Sequence, residues 1–177
     1  YEIENGGGQR GYTSFGKENA KGKKEADLKE FWHFGQYTEG DEKYQYPNNV
    51  TVSEVPDFNT VGKEAFQKLE KTAKYVLRAL ALYLNLDEFY FDQFIHNGNS
   101  ILRPIHYPPV ENTVNIHRAR AHEDINLITL LVGAEEGGLE VLNKNDEWIK
   151  VQPSSNSIVC NIGDMMQLVT ANKLKST

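Results

Sequence analysis

The chain has 177 residues, of which 39% are hydrophobic and 25% charged, so it is long enough and apolar enough for one globular domain with a hydrophobic core. Its formal net charge of -6 argues against nucleic acid or an anionic membrane as a partner. No apolar run has the length of a membrane span, and no signal peptide is visible. The single cysteine, Cys160, excludes an internal disulfide and fits a reducing, cytoplasmic location.

The first third of the chain is predicted to be mostly irregular. Residues 6–8 are glycines that suit a flexible turn, and the lysines within residues 21–24 suit a solvated loop. Residues 12–15 predict a short extended piece. Residues 27–34 predict a compact amphipathic or aromatic turn that packs on the domain, and His33 within it is expected to be a packing residue.

One long helix is predicted over residues 61–86. Apolar side chains recur there at helical spacing, and Lys and Glu occupy the opposite face. The apolar positions are Phe66, Leu69, Ala73, Val76, Leu77, Leu80, Ala81 and Leu84. We expect this helix to cover a sheet, and residues 87–96 to form a second, short helical or turn segment.

From residue 100 onward the pattern becomes typical of β-strands separated by turn residues. The predicted strands are residues 101–103, 114–120, 125–132, 139–142, 148–151 and 157–162. Helices first and short strands later favour an α+β fold, in which helices pack outside a sandwich or barrel. Cys160, Trp148, Leu127, Leu130 and Val132 are expected to be core or sheet-packing residues.

A candidate site lies where the apolar segment 120–131 begins. Side chains two apart on an extended strand share a face, so His122 and Asp124 are expected to project together while Glu123 points away. Imidazole and carboxylate are two of the three ligands that hold Fe(II) in non-haem oxygenases. By itself His-x-Asp is a weak pattern, and a solvated strand end is the simpler interpretation of these residues when they are taken alone.

A third ligand is needed, and no histidine follows His122. The other four histidines, His33, His96, His106 and His117, all precede it. Either one of these completes the site, or the site is incomplete in this chain, or the metal interpretation is wrong. We expect His106 and His117 to be surface or supporting groups rather than ligands.

Several further motifs follow one another in a fixed order. They are Arg103, Tyr107-Pro108-Pro109, Ala121-His122-Glu123-Asp124, Gly137-Gly138, Trp148, Asn161-Ile162-Gly163-Asp164 and Lys175-Ser176-Thr177. In this order and spacing, residues 101–177 closely resemble the isopenicillin N synthase-like family of Fe(II)- and 2-oxoglutarate-dependent oxygenases. The likeness of Arg10-Gly11-Tyr12 and Lys29-Glu30-Phe31 to the N-terminal region of that family is weaker.

This resemblance implies a fold and a division of the chain. The fold is α+β, with a double-stranded β-helix, or jelly roll, as its core and N-terminal helices packed outside. Residues 1–99 would form the helical flanking region, and residues 100–177 part of the jelly-roll core. The family's opening strand, its third iron ligand in a His-Arg-Val motif and its Arg-x-Ser clamp for 2-oxoglutarate have no counterpart in the chain, so we expect it to be a fragment or a processed form of a longer protein.

The resemblance also assigns roles to residues. His122 and Asp124 would bind iron. Tyr107 matches a tyrosine that reaches the co-substrate carboxylate in many members, although packing ahead of the Pro-Pro turn is an equal alternative. Arg10 matches loosely an arginine that holds the substrate carboxylate in the penicillin-forming branch, but an exposed Arg10 in a Gly-rich loop is the simpler expectation.

The implied activity is a non-haem Fe(II), 2-oxoglutarate-dependent dioxygenase. It would hydroxylate, desaturate or cyclise a small molecule with dioxygen, as a monomer and without nucleic acid or membrane. Two alternatives stay open. One is an oxidase of the same fold that does not use 2-oxoglutarate, and the other is a truncated, non-catalytic family member.

Overall fold

The structure is a computed structural model, and it describes residues 1–4, 9–18, 27–38, 46–109, 118–133 and 137–177. The predicted loops at residues 6–8 and 21–24, His117, and most of the predicted strand 114–120 lie outside the described residues. The chain forms two compact units, residues 1–120 and residues 121–177. The division into residues 1–99 and 100–177 stays a prediction.

The first unit contains a sheet and two helices. In chain order its elements are β1 (Gly11–Thr13), β2 (Glu30–Gly35), α1 (Phe58–Tyr83), α2 (Asp92–Ile95), β3 (Ile101–Leu102) and β4 (Ile105–His106). Strand β2 is central: its Phe31 pairs with Thr13 on one edge and with Ile105 on the other. Further along the same strand, Phe34 and Gly35 pair with β3. All of these pairings are antiparallel.

The prediction of a compact turn at residues 27–34 is wrong, because this segment supplies β2. The aromatic residues Phe31, Trp32 and Phe34 favour an extended, half-buried strand, and the three partner strands β1, β3 and β4 pair with its backbone. His33 packs as expected, since it is 3% exposed and its ring centroid lies 4.7 Å from that of Phe31.

Helix α1 covers β2, as predicted, but it begins and ends three residues earlier than expected. Its end is a Schellman-type cap, in which Leu86 N donates to Ala81 O at 2.9 Å and Asn85 N donates to Leu82 O at 3.0 Å. Asn85 takes the left-handed φ of 58° that this cap requires. The short segment predicted after the helix is confirmed as α2.

The second unit contains two strand pairs and a short helix. Its elements are β5 (Ile128–Val132), β6 (Glu140–Leu142), β7 (Trp148–Lys150), β8 (Ile158–Ile162) and α3 (Asp164–Val169). Strands β5 and β8 form one antiparallel pair, and β6 and β7 form the other. These four strands were predicted. Residues 118–120 carry no strand, and α3 was missed because Gly163-Asp164 suggested only a turn.

Some residues predicted to be buried in this unit are exposed. Trp148 is 55% exposed, Val132 is 61% exposed, and the thiol of Cys160 lies at the surface. Each strand pair has only two strands, so in the described chain no further strand covers these side chains. Leu127 and Leu130 are half-buried, as sheet-packing residues would be.

None of the described helices combines the length and the apolar character that crossing a lipid bilayer requires.

Candidate metal centre

The segment that carries His122 and Asp124 is irregular and leads directly into β5, which begins at Ile128. The expectation that the two residues lie on a strand is therefore wrong. The expectation that their side chains project together is confirmed, since His122 Nε2 lies 3.5 Å from Asp124 Oδ1. The His122 side chain is 53% exposed and that of Asp124 is 29% exposed, so solvent can reach the pair.

The backbone of this segment is fixed by hydrogen bonds to the start of α3. Three successive amides donate to it: Gly163 N to Leu127 O at 3.0 Å, Asp164 N to Asp124 O at 2.8 Å, and Met165 N to Asn126 O at 3.0 Å. These bonds replace the ladder of a strand and explain why the segment does not extend β5. They hold the carbonyls of Asp124, Asn126 and Leu127 against the turn that follows β8.

Polar side chains hold the carboxylate of Asp124. Thr129 Oγ1 donates to Asp124 Oδ2 at 2.6 Å, and Asn126 Nδ2 donates to Thr129 Oγ1 at 2.8 Å. All three residues are half-buried. The second oxygen of Asp124, Oδ1, is the one that faces His122.

Glu123 has a different partner from His122 and Asp124, as was expected, although the segment is not a strand. The negative charge of Asp164, together with a hydrogen bond between the two side chains, raises the pKa of Glu123 above its usual value. Glu123 is thus directed to the beginning of α3, whereas His122 and Asp124 face each other.

The His122–Asp124 pair fits a metal ion in its chemistry and spacing. Two ligands about 2.1 Å from one ion lie at most about 4.2 Å apart, so a separation of 3.5 Å allows one ion to contact both. Within the described ranges no group of three or more His, Cys, Asp or Glu side chains could hold a metal. A metal ion held here would therefore have two ligands from this pair, and none of the described histidines would provide a third.

Arg10 is buried, so the expectation of an exposed loop residue is wrong. It is 2% exposed and lies across Gly35 of β2, where the side chain of any other residue would collide with its guanidinium. Its Nη1 donates to Gln9 O at 2.7 Å and its Nη2 to Asn99 Oδ1 at 3.4 Å. Burial lowers the pKa of the guanidinium.

Tyr107 follows β4 and is half-buried. The register places it far from Arg10 within the first unit. His106, which precedes Tyr107, pairs with Glu30 at the beginning of β2, whereas Arg10 lies at Gly35, the last residue of that strand. The two residues assigned to organic ligands are therefore at opposite ends of β2.

The other described histidines have structural or surface positions. His33 Nε2 accepts a hydrogen bond from Arg103 Nε at 2.6 Å. His106 is exposed, and its Nδ1 lies 2.7 Å from Glu30 Oε1. His96 is exposed beyond the end of α2. The expectations for His33 and His106 are confirmed.

Sequence reasoning missed Asn126 and Thr129. Both are polar residues inside a segment that is otherwise apolar and β-prone, and this interruption is the signal that was available. A polar side chain at a half-buried position needs a hydrogen-bond partner, and the nearest candidate in the sequence is Asp124.

The fold and site together define a mixed α+β protein with an imidazole–carboxylate pair at the start of an antiparallel strand. Residues 98–177 match the model of the 2OG-Fe(II) oxygenase superfamily. These residues belong to this superfamily, and the predicted isopenicillin N synthase-like family is consistent with that assignment.

Individual relatives support the assignment along most of the chain. The 2-oxoglutarate-Fe(II) type oxidoreductase hxnY of Emericella nidulans is 32% identical over 163 residues, which cover 85% of this chain and 47% of the relative. A solved 2OG-Fe(II) oxygenase family protein from Caulobacter crescentus is 44% identical, with a TM-score of 0.86 over 97% of this chain and 56% of its own.

A Neurospora crassa protein solved in complex with alpha-KG is 30% identical, with a TM-score of 0.80 over 96% of this chain and 55% of its own. The chain thus spans about half the length of the relatives that it matches.

Proposed function

We propose that this chain is part of an Fe(II)- and 2-oxoglutarate-dependent dioxygenase that oxidises a small molecule. The superfamily match and the relatives named as 2-oxoglutarate-Fe(II) oxidoreductases support this proposal. The core would be a jelly roll to which residues 100–177 contribute, with residues 1–99 as its flanking region. The antiparallel pairing of β5 with β8 and of β6 with β7 is compatible with that core.

The observation that carries the proposal is the approach of His122 Nε2 to Asp124 Oδ1 at 3.5 Å. A neutral imidazole and a carboxylate on one side of an ion are ligands that suit Fe(II) and leave further coordination positions open. Bound iron would supply the oxidising chemistry together with 2-oxoglutarate and dioxygen. His122 and Asp124 would hold it, and the backbone bonds to α3 would keep the two ligands in place.

Two further residues are proposed to bind organic ligands. The Tyr107 hydroxyl would donate a hydrogen bond to the carboxylate of 2-oxoglutarate. Arg10 would face an anionic group of the substrate, a role supported by a buried guanidinium whose two hydrogen bonds go to neutral oxygens. Their positions at opposite ends of β2 imply that they serve different ligands.

The reaction would be a hydroxylation, a desaturation or a ring closure of the small-molecule substrate. A cytoplasmic location and the lack of a nucleic-acid partner stay predictions from composition, and the monomeric state also stays a prediction.

The test is an anaerobic Fe(II) titration of protein expressed from the complete reading frame, with and without 2-oxoglutarate. We expect a weak visible charge-transfer band that requires both, and succinate when dioxygen is admitted. Asp124→Ala should abolish both signals. Glu123→Gln is the matched control, because it neutralises an adjacent carboxylate that is directed to Asp164 instead.

The outcomes separate the alternatives. Iron binding that depends on Asp124 but gives no band with 2-oxoglutarate would favour the oxidase that does not use this co-substrate. No iron binding would favour the non-catalytic member. An Asp124→Ala variant that retains the band would show that the metal assignment is wrong.

A further inference from the structure

The terminal torsion of the Asp124 side chain sets the orientation of its carboxylate, and the covalent structure restricts this torsion only weakly. The terminal torsion of an aspartate is broad and nearly two-fold, so either oxygen, or both, can be turned toward a bound ion. In this structure one oxygen is committed elsewhere, since Oδ2 accepts the hydrogen bond from Thr129 Oγ1 at 2.6 Å. The oxygen that faces His122 is therefore Oδ1.

The direction of the Thr129 hydroxyl is itself controlled. A hydroxyl has one proton and can act as donor and acceptor at once. Asn126 Nδ2 donates to Thr129 Oγ1 at 2.8 Å, which uses the oxygen as an acceptor and leaves its proton for Asp124. The two hydrogen bonds form a short chain that runs from Asn126 through Thr129 to Asp124.

The Asn126 amide is held by the backbone around it. The backbone oxygen of Asn126 accepts a hydrogen bond from the amide of Met165, and the Asn126 side-chain oxygen packs directly over Gly163. A Cβ at position 163 would lie 2.8 Å from the Asn126 carbonyl carbon and closer still to both of its oxygens. A glycine at this position is what lets the Asn126 side chain reach Thr129.

We propose that Thr129 and Asn126 are positioning residues for the metal ligand Asp124. Asn126 orients Thr129, and Thr129 fixes the carboxylate so that Oδ1 alone points to the ion beside His122. The inference rests on the proposed function, because it assumes that Asp124 binds the metal.

The experiment measures Mn(II) affinity, from the electron paramagnetic resonance signal of free Mn(II), in protein from the complete reading frame. Thr129→Val removes the hydroxyl at constant shape and should weaken binding by about 10- to 100-fold, the usual effect of losing a group that supports a ligand. Thr129→Ser restores the hydroxyl and should bind within about threefold of wild type. Asn126→Asp should also weaken binding, because its carboxylate competes with Asp124 for the Thr129 proton.

The matched control is Thr170→Val. Thr170 is a buried threonine of the same unit, but its Oγ1 donates to Met166 O at 2.8 Å, within α3 and its end. This variant should leave Mn(II) affinity unchanged. A spectroscopic signature completes the test: Co(II) bound to Thr129→Val should give a weaker visible band than in wild type, because a rotated carboxylate that binds through both oxygens raises the coordination number.

The result separates the two proposals. If Thr129→Val binds Mn(II) as wild type does while Asp124→Ala loses it, the positioning role is wrong and the metal assignment stands. If Thr129→Ser or Thr170→Val loses as much affinity as Thr129→Val, the effect is one of general stability and the positioning role is again wrong. If Asp124→Ala binds as wild type does, the metal assignment fails and this inference fails with it.

Discussion

The two compact units of the chain are stabilised in different ways. Most of the described side chains that are both apolar and buried belong to residues 1–120. They are Phe31, Phe34, Val52, Phe66, Leu77, Ala81 and Phe91. In residues 121–177 only Met166 is in that class, among the residues that the structure describes. The second unit instead concentrates hydrogen bonds around the segment that carries His122 and Asp124.

This difference distinguishes the interactions that stabilise the fold from those that fix the geometry of the candidate site. Burial of apolar surface stabilises a fold without specifying direction, whereas a hydrogen bond requires a particular distance and angle. We therefore expect substitutions in the core of the first unit to change the free energy of unfolding. Substitutions around residues 124–129 should mainly change the arrangement of the candidate ligands.

The largest effect is expected from Phe66→Ala in α1. Phe66 is 4% exposed, and its ring meets that of Tyr37 edge-on at 5.5 Å. Truncation should reduce the free energy of unfolding by about 3–5 kcal/mol through lost transfer energy and a residual cavity. Urea unfolding followed by Trp32 fluorescence, in a Trp148→Phe background, reports on this unit alone because the chain has two tryptophans.

Val61→Ala is the control for this substitution, since Val61 lies on the same helix but is 60% exposed. It should change the free energy by no more than about 0.5 kcal/mol. Equal effects of the two substitutions would mean that the buried face of α1 does not stabilise the first unit, and the comparison between the units would fail.

A smaller effect, confined to the second unit, is expected from Gly163→Ala. Position 163 has an ordinary extended backbone, so the cost is steric: the new Cβ collides with Asn126. Overpacking of this kind typically costs about 1–3 kcal/mol. The backbone amides of Asp164 and Met165 donate hydrogen bonds to the segment that carries His122 and Asp124. These amides should exchange hydrogen faster than in wild type.

Gly137→Ala provides the comparison, because a Cβ there meets nothing within 4 Å. It should leave the exchange of both amides unchanged. Unchanged exchange in Gly163→Ala as well would show that the contact with Asn126 does not hold the segment.

Local patterns predicted much of this molecule, and the errors have identifiable causes. The apolar spacing of α1 was sufficient to find it, but the Asn85 cap that ends it was overlooked. Strand β2 was mistaken for a turn because aromatic residues crowd both of its faces and obscure the alternation of a strand. Its three partner strands come from residues 11–13, 101–102 and 105–106, and such distant pairings cannot be read from a local window.

The candidate site shows the same limit. Strand alternation predicted that His122 and Asp124 project together, and the 3.5 Å separation confirms this pairing although their segment is not a strand. The burial of Arg10 did not follow, because it depends on Gly35 and Asn99, which are distant in the sequence. The hydrogen bonds from Gly163, Asp164 and Met165 to the segment that carries His122 and Asp124 could not be predicted either, because they join two parts of the chain about 40 residues apart.

The smallest effect is expected from the ion pairs between α1 and α2, which tests whether charges add to the apolar core of the first unit. Arg78 donates to both oxygens of Asp92, at 2.7 and 3.2 Å, and Lys74 lies 3.1 Å from Asp92 Oδ2. The hydrogen bond from Arg78 is the main reason that the pKa of Asp92 is lowered to about 2. The side chains of Arg78 and Asp92 are 22% and 23% exposed, so solvent weakens the contribution.

A carboxyl with a lowered pKa stabilises the folded state above its unfolded pKa of about 3.9, and that contribution disappears as the pH falls through the folded value of about 2. Asp92→Asn should therefore be less stable than wild type at pH 7, and the difference should shrink between pH 4 and pH 2.5. Urea unfolding at these three pH values measures it. Glu64→Gln, which breaks only the exposed 3.6 Å pair with Lys68, should show no such trend. A difference for Asp92→Asn that stays constant with pH would mean that the Asp92 charge does not contribute, and that the first unit depends on its apolar core alone.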